Sequence, residues 1–195
     1  MSLAAFADPV FESQAAFRAV LRAMSSPGAV MSLGAGVTPP APLRPAAAAV
    51  LLALCDFETP LWLSPAYAGS EVGAWLKFHT GATVAKEPAG AAFALIDLAR
   101  DPLDLAAFAQ GTAAYPDRST TIIGEVEGLA TAPGLRLIGP GVNGEARLAV
   151  SPLPPQFAES WRINNEGFPL GIDMVFAAPG AVAALPRTTR ILGIV

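Results

Sequence analysis

Gly171-Ile172-Asp173-Met174-Val175-Phe176, then Ala177-Ala178-Pro179-Gly180, then Ala181-Val182-Ala183-Ala184-Leu185 is the stretch that decides the fold. Both outer segments read as strands, and the residues between them are too few for a crossover helix. Strands joined so closely pair antiparallel, whereas parallel neighbours need about a dozen residues or more between them. Upstream, helical and strand patterns alternate, which is how a sheet with parallel strands is built. Together the two halves predict one α/β domain around a mixed sheet.

Working back from this pair, Pro154-Pro155 opens a helix containing Phe157 and Trp161. Arg147 to Val150, Leu135 to Ile138 and Thr120 to Val126 read as strands, and so does Ala92 to Asp97. Pro102 to Gln110 reads as a helix closed by Gly111. Ser70-Glu71 opens a short helix that ends before His79. Thr59 to Ser64 is a strand that Pro60 confines to an edge or a strand start. Pro45 begins a helix whose Ala46 to Leu54 segment is apolar nearly all round, so it should be buried on several sides. Ala29 to Leu33 is a short strand. The first helix starts at Asp8-Pro9, an N-cap followed by proline, and Pro27-Gly28 stops it. Phe17, Val20, Leu21 and Met24 predict its apolar stripe.

The 195 residues suit a single domain over 1–195. Charged residues are 14% of the chain, well below the usual quarter or so, and the net charge is −4. That balance favours neither nucleic acid nor an anionic membrane as partner. With a mean hydropathy of +0.48 it points to surface buried in an oligomer or complex, or to an alanine-rich composition alone. Cys55 is the one cysteine and suits a reducing compartment. Met1 to Asp8 has neither a basic region nor an apolar run, and Arg22 to Arg44 is too rich in proline and glycine for a membrane helix. The expectation is a cytoplasmic protein.

Gly139-Pro140-Gly141-Val142-Asn143-Gly144 matches G-x-G-x-x-G after a strand. A dinucleotide site needs a helix next, so that its N-terminus can receive the pyrophosphate. Glu145 to Val150 instead reads as strand, and the loop reads as a tight turn. His79 is the only histidine, which excludes histidine-rich metal sites and leaves it finishing a helix or serving a site. Lys77 and Lys86 are the only lysines, in an amphipathic stretch and a turn, and neither has a Schiff-base setting. Asp97, Asp101 and Asp104 read as a strand end and a helix cap, with metal binding the sharper alternative. Arg187-Thr188-Thr189 places a planar donor fork beside two hydroxyls. If extended, it sends Arg187 and Thr189 to one face as a candidate anion site, with Arg18 a second cation, and Thr188 to the other. The competing reading pairs Arg187 with Asp173 across neighbouring strands.

The combination of segments resembles the PhnH family of the bacterial carbon–phosphorus lyase system. The resemblance rests on Gln14 to Arg18 with Ala23 to Gly28, Thr59 to Ser64, Phe78-His79-Thr80, and Gly111-Thr112 followed by Pro116. Gly139-Pro140-Gly141, Phe168 to Asp173 and Leu185 to Thr189 complete it; Asp117 stands where the family pattern suggests glutamate. It implies a three-layer α/β/α fold similar to pyridoxal-phosphate-dependent transferases, without the cofactor or its lysine. It also implies a cytoplasmic subunit, a homodimer when isolated, that assembles with PhnG, PhnI and PhnJ. Those subunits together transfer a phosphonate to the ribose of ATP with loss of adenine, before C–P cleavage. No catalytic residue carries over to this chain. A phosphonate- or nucleotide-binding module and a small transferase remain the alternatives.

Overall fold

A computed structural model describes residues 5–34 and 36–194; Met1 to Ala4, where the N-terminal stretch read above begins, Ala35 and Val195 lie outside the described residues. The predicted antiparallel pair forms as β7 (Asp173–Ala178) and β8 (Ala181–Leu185), with Val175 opposite Ala184. It joins β1 (Met31–Ser32), β2 (Leu61–Leu63), β3 (Phe93–Asp97) and β4 (Thr121–Glu125) in a six-stranded sheet of order β1-β8-β7-β4-β3-β2. β1, β2, β3, β4 and β7 run in one direction, and β8, between β1 and β7, runs opposite to them. The sheet is mixed, and β2 with its preceding Pro60 lies at the end of the strand order.

One face of this sheet carries α1 (Pro9–Ser25), α2 (Pro45–Leu54) and α3 (Val72–Thr80), sharing a core with Leu95, Ile123 and Val175. The other carries Ile96, Ile122 and Phe176 against α4 (Phe157–Glu166), a 3-10 turn at Leu105–Ala107 and a second sheet. That sheet is β5 (Gly128–Ile138) between β6 (Ala146–Ser151) and β9 (Arg190–Ile194), all antiparallel. The three-layer expectation is therefore corrected on one side, where the outer layer is part helix and part sheet. β9 was not expected, because Pro186 and the polar run after it masked a strand whose side chains alternate between exposed and half-buried.

Asp8 caps α1 by accepting from Phe11 N at 3.2 Å. The buried face of α1 is Ala16, Ala19, Val20 and Ala23, while Phe17 and Leu21 are 48% and 55% exposed, so the predicted stripe is corrected. α1 packs on α2, where Ala46 to Ala49 are buried. Alanine faces let the helix axes approach closely and turn the larger side chains outward. Two helix ends differ as well. α3 runs through His79 to a left-handed Gly81, and Pro102 to Gln110 forms only the 3-10 turn capped by Asp104. Among the described residues no helix is long and apolar enough to cross a membrane.

Candidate functional site

Asp173 is the first residue of β7, and Arg187 follows the neighbouring β8, so the topology brings them side by side. The Arg187 backbone N donates to Asp173 Oδ1 at 2.7 Å and its Nε to the same oxygen at 3.2 Å. Nη2 pairs with Asp173 Oδ2 and donates to Ser119 Oγ. Nη1 donates to the Pro116 carbonyl at 2.7 Å. Asn165 Nδ2 donates to the Arg187 carbonyl at 2.7 Å. The two charged side chains are only 12% and 15% exposed. This geometry is the structural pairing of Arg187 with Asp173, and it neutralises the guanidinium.

The rest of the candidate anion cluster is arranged otherwise than alternation would place it. Pro186 to Thr189 is a turn, closed by Thr189 N donating to the Pro186 carbonyl at 2.8 Å, so no shared strand face is formed. Thr189 is fully buried, its Oγ1 lacks a hydrogen-bond partner, and its carbonyl accepts from Trp161 Nε1 at 2.8 Å. Thr188 is half-buried in a shallow depression with Met24 and Pro169. Arg18 is exposed on α1 and is absent from the hydrogen bonds and ion pairs of Arg187. His79 stacks edge-on with Trp75 and Phe78, at centroid distances of 4.8 and 5.0 Å.

A second polar centre, which residue patterns did not reveal, closes the C-terminal ends of β2, β3 and β4. Arg44, at the N-cap of α2, donates its backbone N to Glu125 Oε1 at 2.7 Å and Nη1 to the Val126 carbonyl at 2.7 Å. Its Nε lies 3.1 Å from Glu125 Oε2 and its Nη2 3.8 Å from Asp97 Oδ2. Asp101 accepts from Ser64 Oγ and from Ala66 N at 3.2 Å, tying the end of β2 to that of β3. Asp97 ends its strand and Asp104 caps the following turn, as read from their spacing. Burial pushes the Glu125 carboxyl above its ordinary range, against the lowering effects of the Arg44 backbone N–H, Tyr67 and the Arg44 charge. Burial likewise raises the Tyr67 phenol, with the Glu125 charge adding to it. A signal existed in Asp97 and Glu125, acidic residues closing two apolar strands, but Arg44 lies 81 residues from its partner.

Gly139 to Gly144 joins β5 to β6 as a turn, as expected from the strand that follows it. A Cβ on Gly141, at φ +81°, would collide with the Ser25 carbonyl oxygen, and one on Gly28 would come within 2.7 Å of Ala146 Cβ. Glycine here lets the hairpin turn meet the end of α1, the role a phosphate would take in a dinucleotide fold.

Residues 4–192 match the family described as "Bacterial phosphonate metabolism protein (PhnH)". The chain belongs to that family. It is 44% identical over 187 residues to the "Alpha-D-ribose 1-methylphosphonate 5-triphosphate synthase subunit PhnH" of Rhizobium meliloti (strain 1021), covering 96% of this chain and 94% of that protein. It is also 37% identical over 81 residues to HtxG of Stutzerimonas stutzeri, named as a candidate C–P lyase subunit, with 42% of each chain covered. The segments that suggested the PhnH family from sequence now have a spatial meaning. Phe168 to Asp173, Leu185 to Thr189 and the Pro116 region meet at the Arg187 guanidinium, so three separated motifs serve one junction.

Proposed function

We propose that this chain is a non-catalytic subunit of a carbon–phosphorus lyase assembly that supports organic phosphonate catabolism. The observation that carries the reading is the near full-length similarity to a protein named as a subunit of α-D-ribose 1-methylphosphonate 5-triphosphate synthase. Its partners are PhnG, PhnI and PhnJ, its compartment is the cytoplasm, and alone it is a homodimer. Its fold is a cofactor-free relative of the pyridoxal-phosphate-dependent transferases. The internal pairing of both polar centres supports a structural role. Arg187 is neutralised by Asp173 and Arg44 faces Glu125 and Asp97, so these charges hold strand ends together. Binding of a phosphonate or nucleotide at Arg187, Thr189 and Arg18 is the second reading, favoured only by the unpartnered Thr189 hydroxyl.

Co-expression with PhnG, PhnI and PhnJ, followed by size-exclusion chromatography and mass measurement, tests the main reading. The chain should co-elute in fixed stoichiometry, and deleting it should abolish growth on methylphosphonate as phosphorus source. A chain that elutes alone, in cells that still grow, overturns it.

A further inference from the structure

The two lysines of the chain, 9 residues apart in sequence, line one cleft of about 450 Å³ at the β2 edge of the central sheet. One wall is a single face of α3 and the residues leading into it: Ser70, Gly73, Ala74 and Lys77 follow the i, i+3, i+4, i+7 spacing. The other wall is the segment Val84 to Lys86, held beside β2 by Ala85 N donating to the Leu61 carbonyl at 2.9 Å. We propose that this cleft binds an organic phosphate or phosphonate, a tetrahedral oxyanion carried on a small apolar body, between Lys77 and Lys86.

Three observations converge on that chemistry. First, the charge is local and uncancelled: no acidic side chain lines the cleft, and among the described residues neither lysine is paired with a carboxylate. In a chain of net charge −4, an acid-free cleft holding both lysines is a specific departure from the overall balance. Second, the first-turn N–H groups of Gly73 and Ala74 have no acceptor within α3 and lie at its positive end. Ser70 Oγ accepts from Val72 N at 3.2 Å and donates to the Tyr67 carbonyl at 2.7 Å, so the free donors at this end are the two backbone N–H groups. Third, Leu63 and Val84 form an apolar floor that approaches α3 closely. A Cβ on Gly73 would come within 3.2 Å of Leu63 Cδ1 and 3.6 Å of Val84 Cγ2. The volume falls in the range of small-molecule sites, larger than a bare oxyanion needs. The cleft is separate from the Arg187 junction and does not depend on the subunit reading.

Calorimetric titration of the isolated full-length chain with inorganic phosphate, methyl phosphate, methylphosphonate and butylphosphonate tests the proposal. Binding should strengthen from inorganic phosphate to butylphosphonate, because only the latter covers the apolar floor, and it should weaken with added salt. The methyl phosphate and methylphosphonate arms distinguish a phosphate ester from a phosphonate. Lys77→Ala and Lys86→Ala should each lose about tenfold in affinity, and their arginine counterparts should retain it. Both lysines are exposed, so the ligand-free melting temperature should not change. Amide resonances of Ser70, Gly73 and Ala74 should move on titration. No binding of any probe, native affinity in the double alanine variant, or resonance shifts confined to other parts of the chain would each overturn the site.

Discussion

Arg187 shows how a residue with the chemistry of a ligand site can be committed to structure. Its guanidinium donates to Asp173, Ser119 and Pro116, linking the starts of β4 and β7 to the turn after β8. Removing it leaves a carboxylate that is 15% exposed and uncompensated. Breaking such a buried pair costs on the order of 3–5 kcal/mol. Arg187→Ala should therefore lose about that much in urea denaturation. A variant that keeps its melting temperature yet loses weak binding of ATP or alkylphosphonates would instead favour the anion reading. Glu125 gives a second test through pH. Its folded carboxyl is raised above the ordinary 4.5, so above that pH the unfolded chain releases its proton first. Stability is then present below about the ordinary value and declines as pH rises through the folded one. Glu125→Gln should flatten that decline in unfolding free energy measured upward from pH 4.5. A steeper decline in the variant would mean that the Arg44 pairing outweighs burial.

Elements were legible where one local rule decided them. Asp8-Pro9 and Pro27-Gly28 bound α1, and β7 and β8 follow from two short apolar runs and the short turn between them. The misreadings occurred where tertiary packing chose between local options. The spacing of Phe17, Val20, Leu21 and Met24 fits a stripe, yet the alanine face of α1 was the better partner for an alanine-rich α2. Pro102 to Gln110 carries helix signals at both ends, but Leu105 and Phe108 bury from a single tight turn. The glycine-rich turn was read correctly from the strand after it, while its contact with α1 was invisible to any local pattern. That contact makes a prediction. Gly141→Ala should be strongly destabilising, since the φ of +81° and the Ser25 carbonyl both oppose a side chain. Gly144→Ala, also at positive φ but with open space around its Cβ, should cost only about 1 kcal/mol. Equal thermal shifts in the two variants would show that backbone strain, and not the close approach, governs the turn.

At the scale of the whole molecule, composition carried a message that the fold makes specific. A charge-poor chain leaves Val10, Phe11, Phe17 and Leu21 exposed along one helix, at 73%, 70%, 48% and 55%. Such a patch on a folded surface marks a contact site more often than an accident. The homodimer proposed above would cover it with a second copy of the chain. A closed dimer is self-complementary, so each contact across such a patch would be made twice. Hydrophobic periodicity found Val20 but set Phe17 and Leu21 in the core, so it could not say which apolar face of α1 would be left for a partner. Sedimentation velocity of the isolated chain at micromolar concentration should show a dimer. Phe17→Ser with Leu21→Ser should convert it to a folded monomer of unchanged melting temperature, because neither side chain belongs to the buried face of α1. A native chain that sediments as a monomer would remove the dimer, and a double-serine variant that stays dimeric would move the interface away from α1.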